Sequence, residues 1–201
     1  MEIYKFLGLY TNNENIKMET IRLIKKFAPI FVFHSREKYF PVNLKTAEKE
    51  EFTETMCPEN PLYYSVIYNE KNEMTVNFVL LFPQTYQGTF GITSILGDVK
   101  FIRMVIDTDK KTLKKIFYGN NLVQEFGLKT DRPRVYVSLD THNFYPMNFT
   151  QKNIFGFVTE ETEKGLSWET EETAVYQIKK LKDKKYGDSY LIPKNFYKFT
   201  F

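Results

Sequence analysis

The sequence predicts a mainly β protein: a two-sheet antiparallel β-sandwich with an N-terminal helix and a basic C-terminal helix. Three observations indicate this fold. Short runs rich in β-branched and aromatic residues recur along the chain, turn-forming residues separate them, and helical spacing is confined to a few segments. Eight such runs with few helices favour two packed sheets.

The N-terminal helix is predicted over residues 15–27, within an N-terminal helical segment that spans residues 1–27. Leu23, Ile24 and Phe27 recur at helical spacing, and an asparagine just before the run can cap it. Pro29 then ends the helix. We therefore expect one amphipathic helix before the first strand.

Strands are predicted for eight segments, and two of these segments show how they are packed. Residues 134–140 alternate apolar and polar side chains, which is typical of a strand with one buried face. Residues 74–82 are apolar on both faces, which predicts a central strand. A short helix is expected over residues 43–52. The predicted strands are residues 30–34, 62–69, 74–82, 99–108, 115–118, 134–140, 154–158 and 196–201.

A second amphipathic helix is predicted over residues 174–187. Val175, Ile178 and Leu181 recur on one side, lysines occupy the others, and Gly187 closes the segment. Residues 174–201 are strongly basic, whereas the preceding residues 159–173 are strongly acidic. The charge of the chain is therefore polarised near its end.

Composition bounds the class of protein. The 201 residues predict a single domain, 1–201. The 28 Lys plus Arg against 25 Asp plus Glu give a net charge of only +3, which excludes a protein that coats nucleic acid, and we expect no DNA partner. Cys57 is the one cysteine, so neither a disulfide nor a cysteine metal cluster can form within the chain. Apolar runs are short and the start is a poor secretory signal, so we expect a cytoplasmic protein without integral membrane association.

Candidate catalytic residues are few. His34 and His142 are the only histidines, each at the end of an apolar strand, where a hydrogen-bonded structural histidine is the commoner outcome. Asp98 and Asp140 could pair with His142 in a hydrolase, but strand-end carboxylates more often cap turns. No nucleophile motif accompanies them. We therefore expect binding rather than catalysis, with no catalytic residues, cofactor or metal.

Basic and aromatic residues form the candidate binding surface. Lysines and arginines neutralise phosphates, and aromatic rings stack on unpaired bases, so a mixture of the two favours RNA contact. The alternative for the lysine-rich stretches, which include residues 22–26 and 110–115, is a solvated face. The predicted RNA- or ribosome-binding residues are Arg36, Lys38, Tyr39, Tyr86, Phe90, Arg132, Arg134, Tyr136, His142, Lys179, Lys180, Lys182, Lys184 and Lys185.

Two motifs carry a resemblance to a known family. One is His-x-x-Glu-Lys-Tyr-Phe-Pro at residues 34–41, and the other is Val-Tyr-Val-(x)4-His-x-x-Tyr-Pro at residues 135–146. With the Gly-Asp pair at 97–98 and residues 165–168, they resemble the vacuolar protein sorting sixty-two family of β-sandwich proteins. The resemblance spans residues 28–168 and implies the fold more than an activity.

One departure from that family concerns metal binding. The family, and the necrosis-inducing toxins that it distantly resembles, tend to have an Asp-Trp-Glu-His-like run where this chain has Asp98, Val99, Lys100 and Phe101. A hard cation needs several convergent oxygens, and here the acidic ligand and the imidazole are replaced. We expect no metal site or toxin-like activity at this position.

More loosely, the chain is similar to the microsporidian ribosome dormancy, or hibernation, factors, which occupy the tRNA exit site of idle ribosomes. This resemblance implies a protein that inhibits translation by docking on ribosomal RNA and ribosomal proteins, and that is a monomer outside the complex. Two alternatives stay open. One is a membrane-trafficking module that binds anionic membrane or protein partners, and the other is a sandwich-type hydrolase.

Overall fold

A computed structural model describes residues 14–43, 46, 58, 62–69, 72–87, 93–119, 122–129, 131–152, 154–155, 158–163, 165–168, 176–177, 185–186 and 189–190. Its described elements, in chain order, are helix α1 (Glu14–Phe27) and strands β1 (Ile30–Phe33), β2 (Tyr63–Asn69), β3 (Glu73–Gln87), β4 (Thr93–Asp107), β5 (Thr112–Phe117), β6 (Val123–Lys129), β7 (Arg134–Val137), β8 (Phe144–Tyr145), β9 (Thr150–Lys152), β10 (Val158–Glu161), β11 (Ser167–Trp168), β12 (Tyr176–Gln177), β13 (Lys185–Tyr186) and β14 (Ser189–Tyr190).

Two sheets form the body of the protein, which confirms the predicted β-sandwich. One sheet has the strand order β11-β1-β7-β8, and the other has the order β12-β2-β3-β4-β5-β6. Buried apolar side chains of both sheets belong to one core, and the rings of Phe33 and Phe82 are 6.5 Å apart between them. Most pairings are antiparallel, but β1 pairs with β7, and β12 with β2, in parallel.

Helix α1 packs on this core through the face that the sequence predicted. Leu23, Ile24 and Phe27 are buried, while Lys25 and Lys26 lie exposed in the last turn. The helix ends at Phe27, two residues before Pro29, whose ring cannot continue a helix. Its basic last turn is therefore held at a fixed position beside the start of β1.

Strand β3 is central, as the sequence predicted, and every residue from Val76 to Phe82 is buried. The strand extends past the predicted end at Phe82 and continues through Pro83 to Gln87. The ladder with β4 runs from Phe82 opposite Asp98 directly to Gln84 opposite Leu96, so it skips Pro83, which has no N–H to donate. Gly97 adopts a positive φ of 69° on the facing strand.

The predicted basic helix over residues 174–187 is wrong where the structure describes it. Residues 176–177 are a strand that extends the larger sheet beside β2, and residues 185–186 pair with residues 189–190. At residues 176–177, backbone hydrogen bonds to the sheet edge outweigh the weak helical pattern. At residues 187–188, the Gly-Asp pair, whose glycine was predicted to end the helix, is also a two-residue hairpin signal. The rest of the predicted helix lies outside the described residues.

Two other predictions about elements differ from the structure. Residues 154–155 lie in a turn between β9 and β10 instead of starting a strand, and the apolar residues there, Ile154 and Phe155, are exposed. Strand β6 was not predicted, because its sequence has no regular alternation and contains Gly127. Thr46 is helical, as expected, and Asn43 is not. The other residues of the predicted helix 43–52 and the whole predicted strand 196–201 lie outside the described residues.

Candidate functional site

An open groove of about 740 Å³ lies where the end of α1 meets the starts of β1 and β7. Five basic side chains line it, against one acidic side chain and one apolar one. The lining comes from a helix face and from two strand starts. The strand starts adjoin because β1 and β7 run in parallel, which places Ile30 opposite Arg134. Its lining residues are Arg22, Lys25, Lys26, Ile30, Asp131, Arg132 and Arg134.

Two of these cations, Lys25 and Arg134, have no counter-ion among the residues that the structure describes, whereas the charge of Arg22 interacts with the carboxylate of Glu19, which also pairs with Lys111. Arg22, Lys25 and Arg134 are exposed and form no salt bridge or side-chain hydrogen bond within that part of the chain. Some lysines elsewhere on the surface are paired, since Lys111 contacts Glu19 at 2.7 Å and Lys115 contacts Glu125 at 2.6 Å. The groove therefore concentrates uncompensated positive charge.

The other two cations are anchored by the backbone. Lys26 Nζ donates to the carbonyl oxygen of Lys111 at 3.1 Å and lies 4.9 Å from the centre of the Phe27 ring. Arg132 Nε donates to the carbonyl oxygen of Ala28 at 2.8 Å. The first hydrogen bond joins α1 to the turn between β4 and β5, and the second joins the helix–strand junction to the segment before β7, so both hold these basic side chains in place.

The chemistry of the lining indicates an anion, and phosphate above all. Guanidinium groups form paired hydrogen bonds with phosphate oxygens, and ammonium groups act as point charges beside them. None of the described lining residues is aromatic. The mixture of basic and aromatic residues expected around Arg134 is thus not present in the groove, and Tyr136, in the middle of β7, is half-buried and not among the lining residues.

A second polar site lies beyond the opposite ends of β1 and β7. His142 is completely buried: its Nδ1 is 2.6 Å from Thr85 Oγ1, its Nε2 is 3.3 Å from Glu37 Oε1, and its ring stacks on Phe82 at 3.9 Å. Burial also excludes the predicted contact between His142 and RNA. The histidine instead joins the segment after β1 to β3 and to the loop after β7.

Glu37 is the acidic partner in this site. Its Oε1 accepts hydrogen bonds from the backbone N–H groups of Lys38 and Tyr39, both at 2.9 Å. Burial disfavours the charged carboxylate, but the hydrogen bond and charge of His142, with these two N–H groups, outweigh burial and lower the pKa of Glu37. Glu37 is therefore a buried carboxylate that stays ionised.

His34 occupies a similar position nearer the surface. Its Nδ1 accepts a hydrogen bond from the backbone N–H of Arg36 at 3.0 Å, so the proton of the neutral ring is on Nε2. Nε2 lies 3.5 Å from Glu161 and 3.3 Å from Glu163, and Arg36 pairs with Glu161 at 2.9 Å. The contacts tie the turn after β1 to the end of β10, which is the structural role expected for this histidine.

The carboxylates considered for hydrolysis do not converge. Asp98 forms a salt bridge with Lys100 at 3.1 Å, and no hydrogen bond or ion pair in the described chain joins it to Asp140 or His142. Asp140 has a positive φ of 64°, and burial followed by the charge of Glu37 raises its pKa. Within the described residues, no group of three or more His, Cys, Asp or Glu side chains could hold a metal ion.

The structure divides the predicted binding residues between these two ends. Arg132 and Arg134 line the groove, whereas Arg36, Lys38, Tyr39 and Tyr86 lie around the second polar site, where the rings of Tyr39 and Tyr86 are 5.9 Å apart. They are thus not one surface. The backbone of Lys185 lies in β13, and the predicted residues outside the described chain are Phe90, Lys179, Lys180, Lys182 and Lys184.

Three groove residues were absent from the predicted binding set. Arg22, Lys25 and Lys26 belong to a lysine-rich stretch whose positions, three and four residues apart, share one face of a helix. That spacing was visible in the sequence. The missing information was that the face adjoins the start of β7, about 110 residues later in the chain.

No described helix is long and apolar enough to cross a membrane.

Comparisons with known proteins bear on the fold. No protein-family model and no curated protein matches this chain. Two solved structures that are similar to it are NLPPya in complex with mannosamine and NLPPya in complex with glucosamine; each has a TM-score of 0.50 and 10% sequence identity, over 90% of this chain and 88% of that one. At this identity the likeness shows a shared β-sandwich fold and nothing about activity.

Proposed function

We propose that this protein is a ribosome-binding dormancy factor that docks its basic groove on the phosphates of ribosomal RNA and occupies the tRNA exit site of idle ribosomes. The observation that carries the proposal is the convergence of Lys25 and Arg134, without counter-ions in the described chain, with Arg22 and the anchored Lys26 and Arg132. The ribosome as the source of that RNA comes from the looser resemblance to the dormancy factors, which rests on size and composition and not on the two motifs.

Phosphate contact has a measurable signature. Each phosphate that a protein cation neutralises releases condensed counter-ions, so affinity falls as salt rises, with a logarithmic slope of about 0.7 to 0.9 per phosphate. If Arg22, Lys25 and Arg134 each contact one phosphate, a fourfold increase in salt weakens binding about 20- to 40-fold. Contact through neutral groups would be far less sensitive.

The direct test is pelleting of the purified protein with ribosomes over a range of KCl concentrations. We expect Lys25→Gln/Arg134→Gln to bind more weakly and to show a smaller salt slope. The matched control, Lys115→Gln/Lys152→Gln, also removes two positive charges, but neither residue lines the groove, so binding should be retained. Equal loss in both variants would mean that net charge, rather than the groove, drives binding.

A membrane-trafficking module remains the second candidate, and one observation favours it. Ile154 and Phe155, in the turn between β9 and β10, are 93% and 76% exposed, and exposed apolar residues of this size are typical of contacts with a membrane or a protein. Flotation with liposomes rich in anionic lipid separates the candidates. Flotation without ribosome binding would replace the proposed function with this one.

A further inference from the structure

The size of the groove suits a small ligand as well as a stretch of RNA. Small-molecule sites commonly occupy 300–1,000 Å³, and the groove, at about 740 Å³, falls in that range. Its cations come from the end of α1 and from the residues that lead into β7, so they approach one space from two sides. A compact polyanion can contact both sides at once.

We propose that the groove is a binding site for a compact polyphosphate, a molecule with several clustered phosphate groups such as tripolyphosphate or an inositol polyphosphate. The inference uses the same groove as the proposed function and deepens it, because the polyphosphate competes with RNA phosphates for the same cations. Binding of the small ligand does not itself require the ribosome.

The lining residues can bind phosphate groups, but they offer no group that would recognise the rest of the ligand. Three arginines supply planar forks that match phosphate oxygens, and two lysines add charge. The other lining residues are Ile30 and Asp131, and none of the described set offers an aromatic ring, amide or hydroxyl to recognise a base or a sugar. A ligand is therefore held by its phosphates alone.

The balance of charges favours several phosphates over one. Asp131 carries the one negative charge of the described lining, so it repels every anion that enters the groove. A single phosphate engages few of the five cations, whereas a polyphosphate spans the anchored Arg132 and the unpaired Lys25 and Arg134 together. Anchoring also lowers the entropy that is lost on binding.

Calorimetric titration of the purified chain with sodium tripolyphosphate, inositol hexakisphosphate and ATP, at about 100 mM KCl to screen weak surface attraction, tests this inference. We expect one site per chain. Lys25→Gln/Arg134→Gln should weaken binding about tenfold or more, because a hydrogen bond to a charged group contributes roughly 1.5–3 kcal/mol and 1.4 kcal/mol is a tenfold change. Lys115→Gln/Lys152→Gln should bind like the unmodified chain, and thermal melting verifies that both variants are folded.

The arms of the experiment identify the ligand or overturn the inference. Tighter binding of tripolyphosphate assigns a linear phosphate chain, and tighter binding of inositol hexakisphosphate assigns phosphates on a ring. ATP bound much more tightly than tripolyphosphate would show base recognition and contradict a site that reads phosphates alone. Absence of binding for all three, or equal weakening in both variants, would overturn the inference.

The titration with polyphosphates and the pelleting with ribosomes test the two proposals separately. Displacement of a fluorescent poly-uridine RNA by tripolyphosphate, measured by anisotropy without magnesium, tests the competition. A chain that pellets with ribosomes but binds no polyphosphate retains the proposed function and loses this inference. A chain that binds polyphosphate and never pellets with ribosomes retains this inference and loses the proposed function.

Discussion

Gly165 illustrates how one residue fixes the contact between two strands. It precedes β11, and a Cβ atom at this position would lie 2.4 Å from the carbonyl oxygen of Phe33 and 2.6 Å from the backbone nitrogen of Ser35. Both obstacles are backbone atoms and cannot rotate away. Only glycine lets the chain approach β1 this closely, which allows the N–H of Phe33 to donate to the carbonyl oxygen of Leu166 at 2.9 Å.

We therefore expect Gly165→Ala to lower the free energy of unfolding by about 1–3 kcal/mol, the usual cost of overpacking. Urea denaturation followed by fluorescence measures it. The matched control is Gly127→Ala in β6, where a Cβ atom would meet nothing within 4 Å, so its effect should be small. Equal midpoints for the two variants would contradict the close approach of β11 to β1.

The ionised state of Glu37 predicts a pH dependence of stability. Its pKa is lowered in the folded protein, so it contributes stability above its unfolded pKa of about 4.3, and that contribution is lost as pH falls through the folded value. We expect Glu37→Gln to reduce the free energy of unfolding by about 1–3 kcal/mol near neutral pH, because His142 loses its charged partner. The difference between the two proteins should shrink below about pH 4.

Chemical denaturation at a series of pH values checks this prediction. Glu125→Gln serves as the control, because Glu125 is an exposed carboxylate paired with Lys115 and should change stability little. A difference between Glu37→Gln and the unmodified protein that stays constant from neutral to acidic pH would mean that Glu37 is not an ionised partner of His142.

At the scale of elements, the local sequence predicted the helices and strands in which the spacing of apolar residues matches the positions that are buried. Helix α1 was predicted from residue 15 and begins at Glu14, because its apolar residues recur at the helical period and face the core. The central position of β3 followed from apolar residues on both faces. β12 and the β13–β14 hairpin could not be predicted in the same way, because each described strand has only two residues and depends on a partner for its hydrogen bonds.

The packing of α1 predicts a large cost for truncating its buried face. Ile24 is completely buried in the core shared by both sheets. Ile24→Ala should lower the free energy of unfolding by about 2–5 kcal/mol, since it removes apolar contacts and leaves a cavity. Urea midpoints measure the change, with Met18→Ala as the control, because Met18 lies on the same helix and is 53% exposed. A similar cost for both variants would contradict the orientation of the helix.

At the scale of the whole molecule, the two ends of β1 and β7 differ in chemistry. One end has the basic groove, and the other has buried histidines paired with carboxylates. The sequence indicated the residue types at both ends. It could not show that Arg22 and Lys25 adjoin Arg134, or that His142 is inaccessible, because both facts depend on packing between distant segments. A β-sandwich hosts many functions, so the groove rather than the fold supports the proposed one.

The most direct test of ribosome association is sedimentation of native lysate through sucrose gradients at low and high salt, with the protein followed across the fractions. The proposed function predicts migration with ribosomes at low salt and release to the top of the gradient at high salt, because the groove acts through phosphate neutralisation. A protein that stays at the top of the gradient at both salt concentrations would contradict it.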